Sequence, residues 1–278
     1  MNRQIALLII DPQNDFCDLP EAWRSPDPVR KTLTAPALPV SGSHADMQRL
    51  AALIDAGGAG LSSIVVTLDS HQRYDIAHPT FWQTGAGEAV SPFTAITAAQ
   101  VRAGSYAPRD PAALPRTLAY LDALEQAGRY TLMVWPVHCE IGSWGHNVHP
   151  AVKAAYNRWE DQRLGVVQKI IKGTNPWTEH YSAMQAEVPD ATDPDTQLNR
   201  DLIVIAGEAS SHCVKATTEH LAQYLPSRQL GKLLLVSDAM SPVAGFEAQA
   251  QAFLDGMQRQ GALSATCAEV LPLLQANA

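Results

Sequence analysis

Two stretches decide the fold: Ile5–Asp11, IALLIID, and Leu202–Cys213, LIVIAGEASSHC. Each is an unbroken apolar run that stops abruptly at polar or small residues. A run that is apolar at successive positions suits a strand buried on both faces, as in a parallel sheet covered by helices. Similar runs recur at Ser63–Leu68, Tyr130–Val134, Val166–Ile171 and Lys232–Val236. Helical patterns lie between several of them. His44–Ala56 places Met47, Leu50, Leu53 and Ile54 on one stripe, and Val214–Leu225 and Phe246–Arg259 read the same way. This alternation predicts an α/β sandwich with crossover helices and a mainly parallel central sheet.

The cadence breaks twice. Cys17–Ser43 is rich in Pro, Asp and Ser and reads as an ordered excursion or loop. Pro79–Gly128 opens with small and polar residues, then gives an amphipathic helix around Pro115–Ala127 that leads into the strand ahead of Trp135. With no internal repeat, residues 1–278 read as one domain with insertions near 17–43 and 79–128.

Composition narrows the function classes. Hydrophobic residues make up 46% and charged residues 17%, a globular balance. The formal net charge of −8 argues against a general nucleic-acid binder. Cys17, Cys139, Cys213 and Cys267 form no C-x-x-C pair, and their wide spacing points to reduced thiols. The N-terminal apolar run is too short for a secretory signal, and no stretch approaches the roughly 18 apolar residues of a membrane span. A soluble, cytoplasmic protein without a membrane partner is expected.

In a doubly wound sheet, ligands sit beyond the carboxyl ends of the strands. Four strand ends carry chemistry: Asp11, Asp69 with His71, Lys172, and Gly207–Cys213. Cys213 falls where a strand hands over to a helix, whose N-terminal dipole favours a thiolate. Alone, a cysteine there is more often a small buried hydrophobe. Asp11 needs a partner at a buried strand end, whereas Asp15 reads as a turn or cap residue. Lys172 is followed by Gly173 for the turn, and a lysine in that place is usually a solvated charge. Together the three supply a nucleophile, a carboxylate to take its proton, and a cation to hold the carboxylate. Asp69 and His71, two apart, can point the same way. His78 follows seven residues later, and His138 lies in WPVHC. The plain alternatives are a backbone-bonded histidine at His138 and a loop residue at His78. A carboxylate with imidazoles suits Zn²⁺, Fe²⁺ or Mn²⁺.

With IIDPQNDF, TLDSH, WPVHCEIGSWGHNVHP, IIKG and GEASSHCV in this order, the chain resembles the isochorismatase-like cysteine hydrolases, and within them the nicotinamidases. The resemblance runs from the N-terminus to about Met240 and is specific through the order of its motifs. It implies a three-layer α/β/α Rossmann-like fold with an Asp11–Lys172–Cys213 triad. It implies a metal site from Asp69, His71 and His138, with His78 at the position of an occasional fourth ligand. The oxyanion hole would be the Ala209 and Cys213 N–H groups, after a cis peptide between Glu208 and Ala209. Phe16 and Trp135 match positions flanking the substrate ring, and His212 joins them as an expected substrate contact. The expected activity is hydrolysis of a small carboxamide through a thioester, with a divalent metal ion, zinc first, as cofactor. Homo-oligomers are common among such enzymes.

The chain also departs from the pattern. Both insertions are long for a nicotinamidase, Ser211 stands where Asp is usual, and Glu208 is unusually polar for its place. These differences are expected around the pocket mouth, where substrate is chosen. The nearest alternative is therefore an amidase acting on a ureido, carbamoyl or maleamate-like amide, whose relatives generally lack the metal. A catalytically silent binding protein is the alternative from another class.

Overall fold

The computed structural model describes residues 2–128, 130–189 and 200–278. Its central sheet has six parallel strands: β1 (Ile5–Ile10), β2 (Ser63–Asp69), β3 (Gln168–Lys172), β4 (Leu202–Gly207), β5 (Leu233–Val236) and β6 (Leu263–Ala265). Their spatial order is β6-β5-β4-β1-β2-β3. This is the doubly wound order, with its switch between β1 and β4.

Helices cover both faces. On one side α1 (Ser43–Gly57), α3 (Pro150–Arg163) and α6 (Cys267–Gln275) pack on Ile5, Leu7, Ile9, Ile64, Val66 and Val204. On the other, α4 (Cys213–Tyr224) and α5 (Glu247–Arg259) pack on Leu8, Ile10, Val65, Ile203 and Ile205. Alternate residues of β1 thus feed opposite cores, which is why the run is apolar at every position.

One predicted strand lies elsewhere. The Tyr130–Val134 run forms a strand only at Leu132–Val134, and it pairs antiparallel with Thr94–Ile96 outside the central sheet. These join a second antiparallel pair, Trp82–Thr84 with Tyr106–Pro108, and α2 (Leu114–Ala127) around a separate apolar cluster that includes Phe81, Trp82, Ile96, Leu121 and Leu124. The 79–128 segment therefore carries its own small core. The 17–43 segment contains a 3-10 turn at Glu21–Trp23 and a short antiparallel pair, Pro26–Asp27 with Thr32–Leu33.

Parallel strands bring their carboxyl ends to one edge. The register sets Ile10 opposite Gly207 and Asp69 opposite Lys172. Gly207 has φ 118°, and a Cβ there would lie 2.0 Å from the Ile10 carbonyl oxygen, so only glycine allows β1 and β4 to meet so closely. No helix among the described residues is long and apolar enough to cross a membrane. All four cysteines are buried and unpaired.

Candidate active site

The chain leaves β1 with Asp11 at φ 42°, a left-handed conformation that Asp tolerates better than most residues. Thr67 of β2 fixes it there. The Thr67 hydroxyl accepts the Asp11 N–H at 3.0 Å and donates to Asp11 Oδ1. Lys172 ends β3 with only 1% of its surface exposed, so it is not a solvated strand-end charge. Its ammonium lies 2.9 Å from both Asp11 Oδ2 and Asp69 Oδ1, donates to the His180 carbonyl at 3.0 Å, and lies 3.6 Å from Cys213 Sγ. Asp11, Lys172 and Cys213, expected from three separate strand ends, converge here.

Burial shapes the protonation states. It opposes the Lys172 charge, but Asp11, Asp69 and Cys213 outweigh it and hold the ammonium well above the usual lysine range. Burial also lifts the Asp11 carboxyl, with Lys172 pulling it back and Asp69 adding to the rise. For Cys213, burial drives the thiol well above its ordinary value, Lys172 only partly offsets this, and Asp11 and Asp69 reinforce it. Cys213 is the first residue of α4, so the burial that raises its thiol acts at a helix N-terminus. The thiol is protonated at rest and depends on a base.

The peptide between Glu208 and Ala209 is cis, as the resemblance implied. Among the described residues, neither the Ala209 nor the Cys213 N–H has a hydrogen-bond acceptor. Ala209 and Cys213 line one small cavity with Phe16, Leu38, Trp135, Tyr181 and His212. Trp135 Nε1 donates to the Tyr181 hydroxyl at 3.0 Å. His212 presents edge-on contacts to Trp135, Tyr181 and Phe246. Ser211 orients it. The Ser211 hydroxyl accepts the Val243 N–H at 3.1 Å and contacts His212 Nδ1 at 2.8 Å. Tyr181 and His212 also face an outer cavity of about 480 Å³ that Ala95 of the 79–128 segment helps to line. Glu208 does not belong to this rim. It is fully buried, accepts the Ser241 N–H at 3.1 Å, and is pushed well up by burial and by Asp46.

Asp69, His71 and His138 offer three ligand atoms within 4.8 Å of one another. Asp69 Oδ2 lies 3.1 Å from His71 Nε2 and 3.3 Å from His138 Nε2. Both rings are set from behind: His71 Nδ1 contacts Asp75 Oδ2 at 3.1 Å, and His138 Nδ1 the Pro136 carbonyl at 2.8 Å. These acceptors take the Nδ1 protons, so Nε2 is the nitrogen that each ring turns toward Asp69 and would offer to a metal ion. The donor set fits a divalent transition ion. His71 lies just past β2 and is held by a bridge to Glu140, which draws the segment bearing His138 alongside. His78 stands outside the group. Its Nδ1 meets the Gln72 carbonyl at 3.1 Å, and its Nε2 takes the His138 N–H at 3.4 Å, so both nitrogens are engaged and Nε2 props His138.

Several neighbours escaped sequence reasoning. Gln13 clamps the Asp69 main chain from both sides, donating to its carbonyl at 2.8 Å and accepting its N–H at 2.7 Å. Thr67, Asp75, Glu179 and Tyr181 were missed as well. Asp15 is the structural residue it resembled, accepting N–H groups from Ala37 and Cys139.

Comparison with known proteins found solved structures alone: no family model matches the chain, and no curated protein matches it. The Acinetobacter baumanii nicotinamidase/pyrazinamidase aligns over 97% of this chain and 99% of that one, at 17% identity and TM-score 0.60. A Pyrococcus horikoshii pyrazinamidase in complex with zinc aligns over 95% and 99%, at 16% identity and TM-score 0.51. An isochorismatase family protein of Desulfovibrio vulgaris aligns over 99% and 100%, at 16% identity and TM-score 0.53. By sheet order and near-complete alignment, the chain has the fold of the nicotinamidases and isochorismatase family proteins.

Proposed function

We propose that this protein is a metal-containing amidohydrolase of nicotinamidase type that cleaves a small carboxamide to a carboxylate and ammonia. One observation carries the reading: a buried ammonium touches a buried carboxylate at 2.9 Å and a cysteine sulfur at 3.6 Å, beside a three-donor metal group. Asp11 accepts the Cys213 proton as the sulfur attacks the carboxamide carbon, so charge separation in the dry site is never complete. Lys172 holds Asp11 and offsets the growing negative charge. The Ala209 and Cys213 N–H groups, which lack other acceptors, receive the oxyanion. The C–N bond breaks as Asp11 returns the proton to nitrogen, releasing ammonia and leaving a thioester. Asp11 then takes a proton from water, whose oxygen displaces the sulfur and gives the acid, and Asp11 returns that proton to Cys213.

Asp69, His71 and His138 would hold the divalent ion, zinc by the chemistry of the set and by analogy with the zinc complex of the Pyrococcus pyrazinamidase. When bound, the ion supplies a Lewis-acidic anchor for a ring nitrogen or water of the substrate. The Phe16, Trp135, Tyr181 and His212 walls favour a flat aromatic ring. Nicotinamide is therefore the leading substrate. The outer cavity of about 480 Å³ favours a second reading, an amide bulkier than nicotinamide that extends past Tyr181 and His212. The site takes a small-molecule amide, with neither nucleic acid nor membrane as partner.

An ammonia-release screen over nicotinamide, pyrazinamide and aliphatic amides tests the assignment. Turnover of an aromatic amide is expected, and its abolition in Cys213→Ala. Failure on every aromatic amide overturns the nicotinamidase reading, and a fully active Cys213→Ala overturns the mechanism.

A further inference from the structure

We infer that Glu179 is the fourth protein group of the metal centre, supplying a further negative charge for a divalent ion from the His71 side. This rests on the metal reading above and extends it to a residue outside the three converging donors. Glu179 follows β3 by a few residues and is 1% exposed. Its Oε1 lies 4.0 Å from His71 Nε2, the nitrogen turned toward Asp69. That oxygen also accepts the His180 N–H at 3.2 Å, while the Tyr120 hydroxyl takes the Glu179 N–H at 3.0 Å, so its backbone is pinned. Its other oxygen, Oε2, is fully buried and has no hydrogen-bond partner among the described residues.

A buried carboxylate with an unused oxygen is costly unless a cation faces it. Among the described residues the ion pairs of Glu179 are confined to His71. Lys172 is already committed to Asp11 and Asp69. Asp69 and Asp75 add like charge nearby. Asp11, Asp69, Asp75 and Glu179 thus gather around Lys172 and the His71 ring, and a divalent ion at the Asp69 group would give the buried Glu179 oxygen a cation to face. His78 engages both nitrogens elsewhere, so the supplementary group comes from the segment after β3, far in sequence from the other ligands.

The test compares Zn²⁺ binding by the wild-type chain, Glu179→Gln and Glu179→Asp, in competition with a chromophoric chelator. Wild type should take up one equivalent, and Glu179→Gln should bind roughly 10–100-fold more weakly, with Glu179→Asp between them. The visible spectrum of the Co²⁺ form should shift in Glu179→Gln. With excess chelator, Glu179→Gln should melt no lower than wild type, because the amide removes a buried charge. Equal Zn²⁺ affinity and identical Co²⁺ spectra in wild type and Glu179→Gln overturn the inference while leaving the three-donor centre standing. If Glu179→Gln does not fold, equal affinity in Glu179→Asp and wild type overturns it. A wild-type chain that takes up no metal overturns both readings.

Discussion

Thr67 shows how one side chain sets the geometry of another. Its hydroxyl both takes the Asp11 N–H and donates to the Asp11 carboxylate, in a place with no solvent access. Thr67→Val keeps the shape and strands a buried N–H, so unfolding free energy should fall by about 1–3 kcal/mol in urea titration. With Asp11 less well aimed, kcat should drop on the order of tenfold at little change in KM. The acid and the lysine of the site were legible in the sequence because each ends an apolar run, and the cysteine because it follows one at the turn into a helix. Thr67, Gln13 and Glu179 were not. Thr67 is one more β-branched residue inside a strand, and Gln13 acts on Asp69 through main-chain bonds that span 56 residues. A polar residue between Asp11 and Asp15, next to a buried strand end, was the available signal for Gln13.

At the scale of elements, two contacts govern how the edge of the sheet is built. Gly207→Ala would drive a Cβ to 2.0 Å from the Ile10 carbonyl oxygen. Expression of that variant should give insoluble or unfolded protein by circular dichroism. The second contact is at α3. His149 Nδ1 accepts the Ala151 N–H at 3.2 Å and so caps the helix, leaving its proton on Nε2 to donate to His44 Nδ1 at 2.9 Å. Burial, then the His44 charge, lowers the His149 pKa to about 4. Between an ordinary value near 6.5 and about 4 the unfolded chain binds the proton and the folded chain does not. Stability should therefore decline as pH falls through that window, by about 3 kcal/mol. His149→Asn, which retains a capping side chain, should flatten the urea midpoint against pH. The strands β1, β2, β4 and β5 could be read because their runs are long and apolar. The β6 strand, with one exposed and two partly buried residues, gave no such signal. The α3 helix is mostly polar, although Val152, Ala155, Tyr156 and Trp159 do fall on one stripe.

For the whole molecule, ligand binding and stability are linked. If the Asp69–His71–His138 group holds Zn²⁺, free metal at about 100 times its Kd should stabilise the fold by roughly 2.7 kcal/mol. Thermal melts should then rise with Zn²⁺ and fall with chelator, and the effect should vanish in Asp69→Asn. The position of β1 has a further consequence for how the protein is made. It lies between β2 and β4, and β4 is synthesised long after β2. At ordinary translation speeds roughly ten seconds or more separate the two strands on the ribosome. For that time one edge of Ile5–Ile10 has no neighbour, and its unpaired backbone is open to other strands. The most buried strand of the finished protein is thus the one that most needs chaperone cover in the nascent chain.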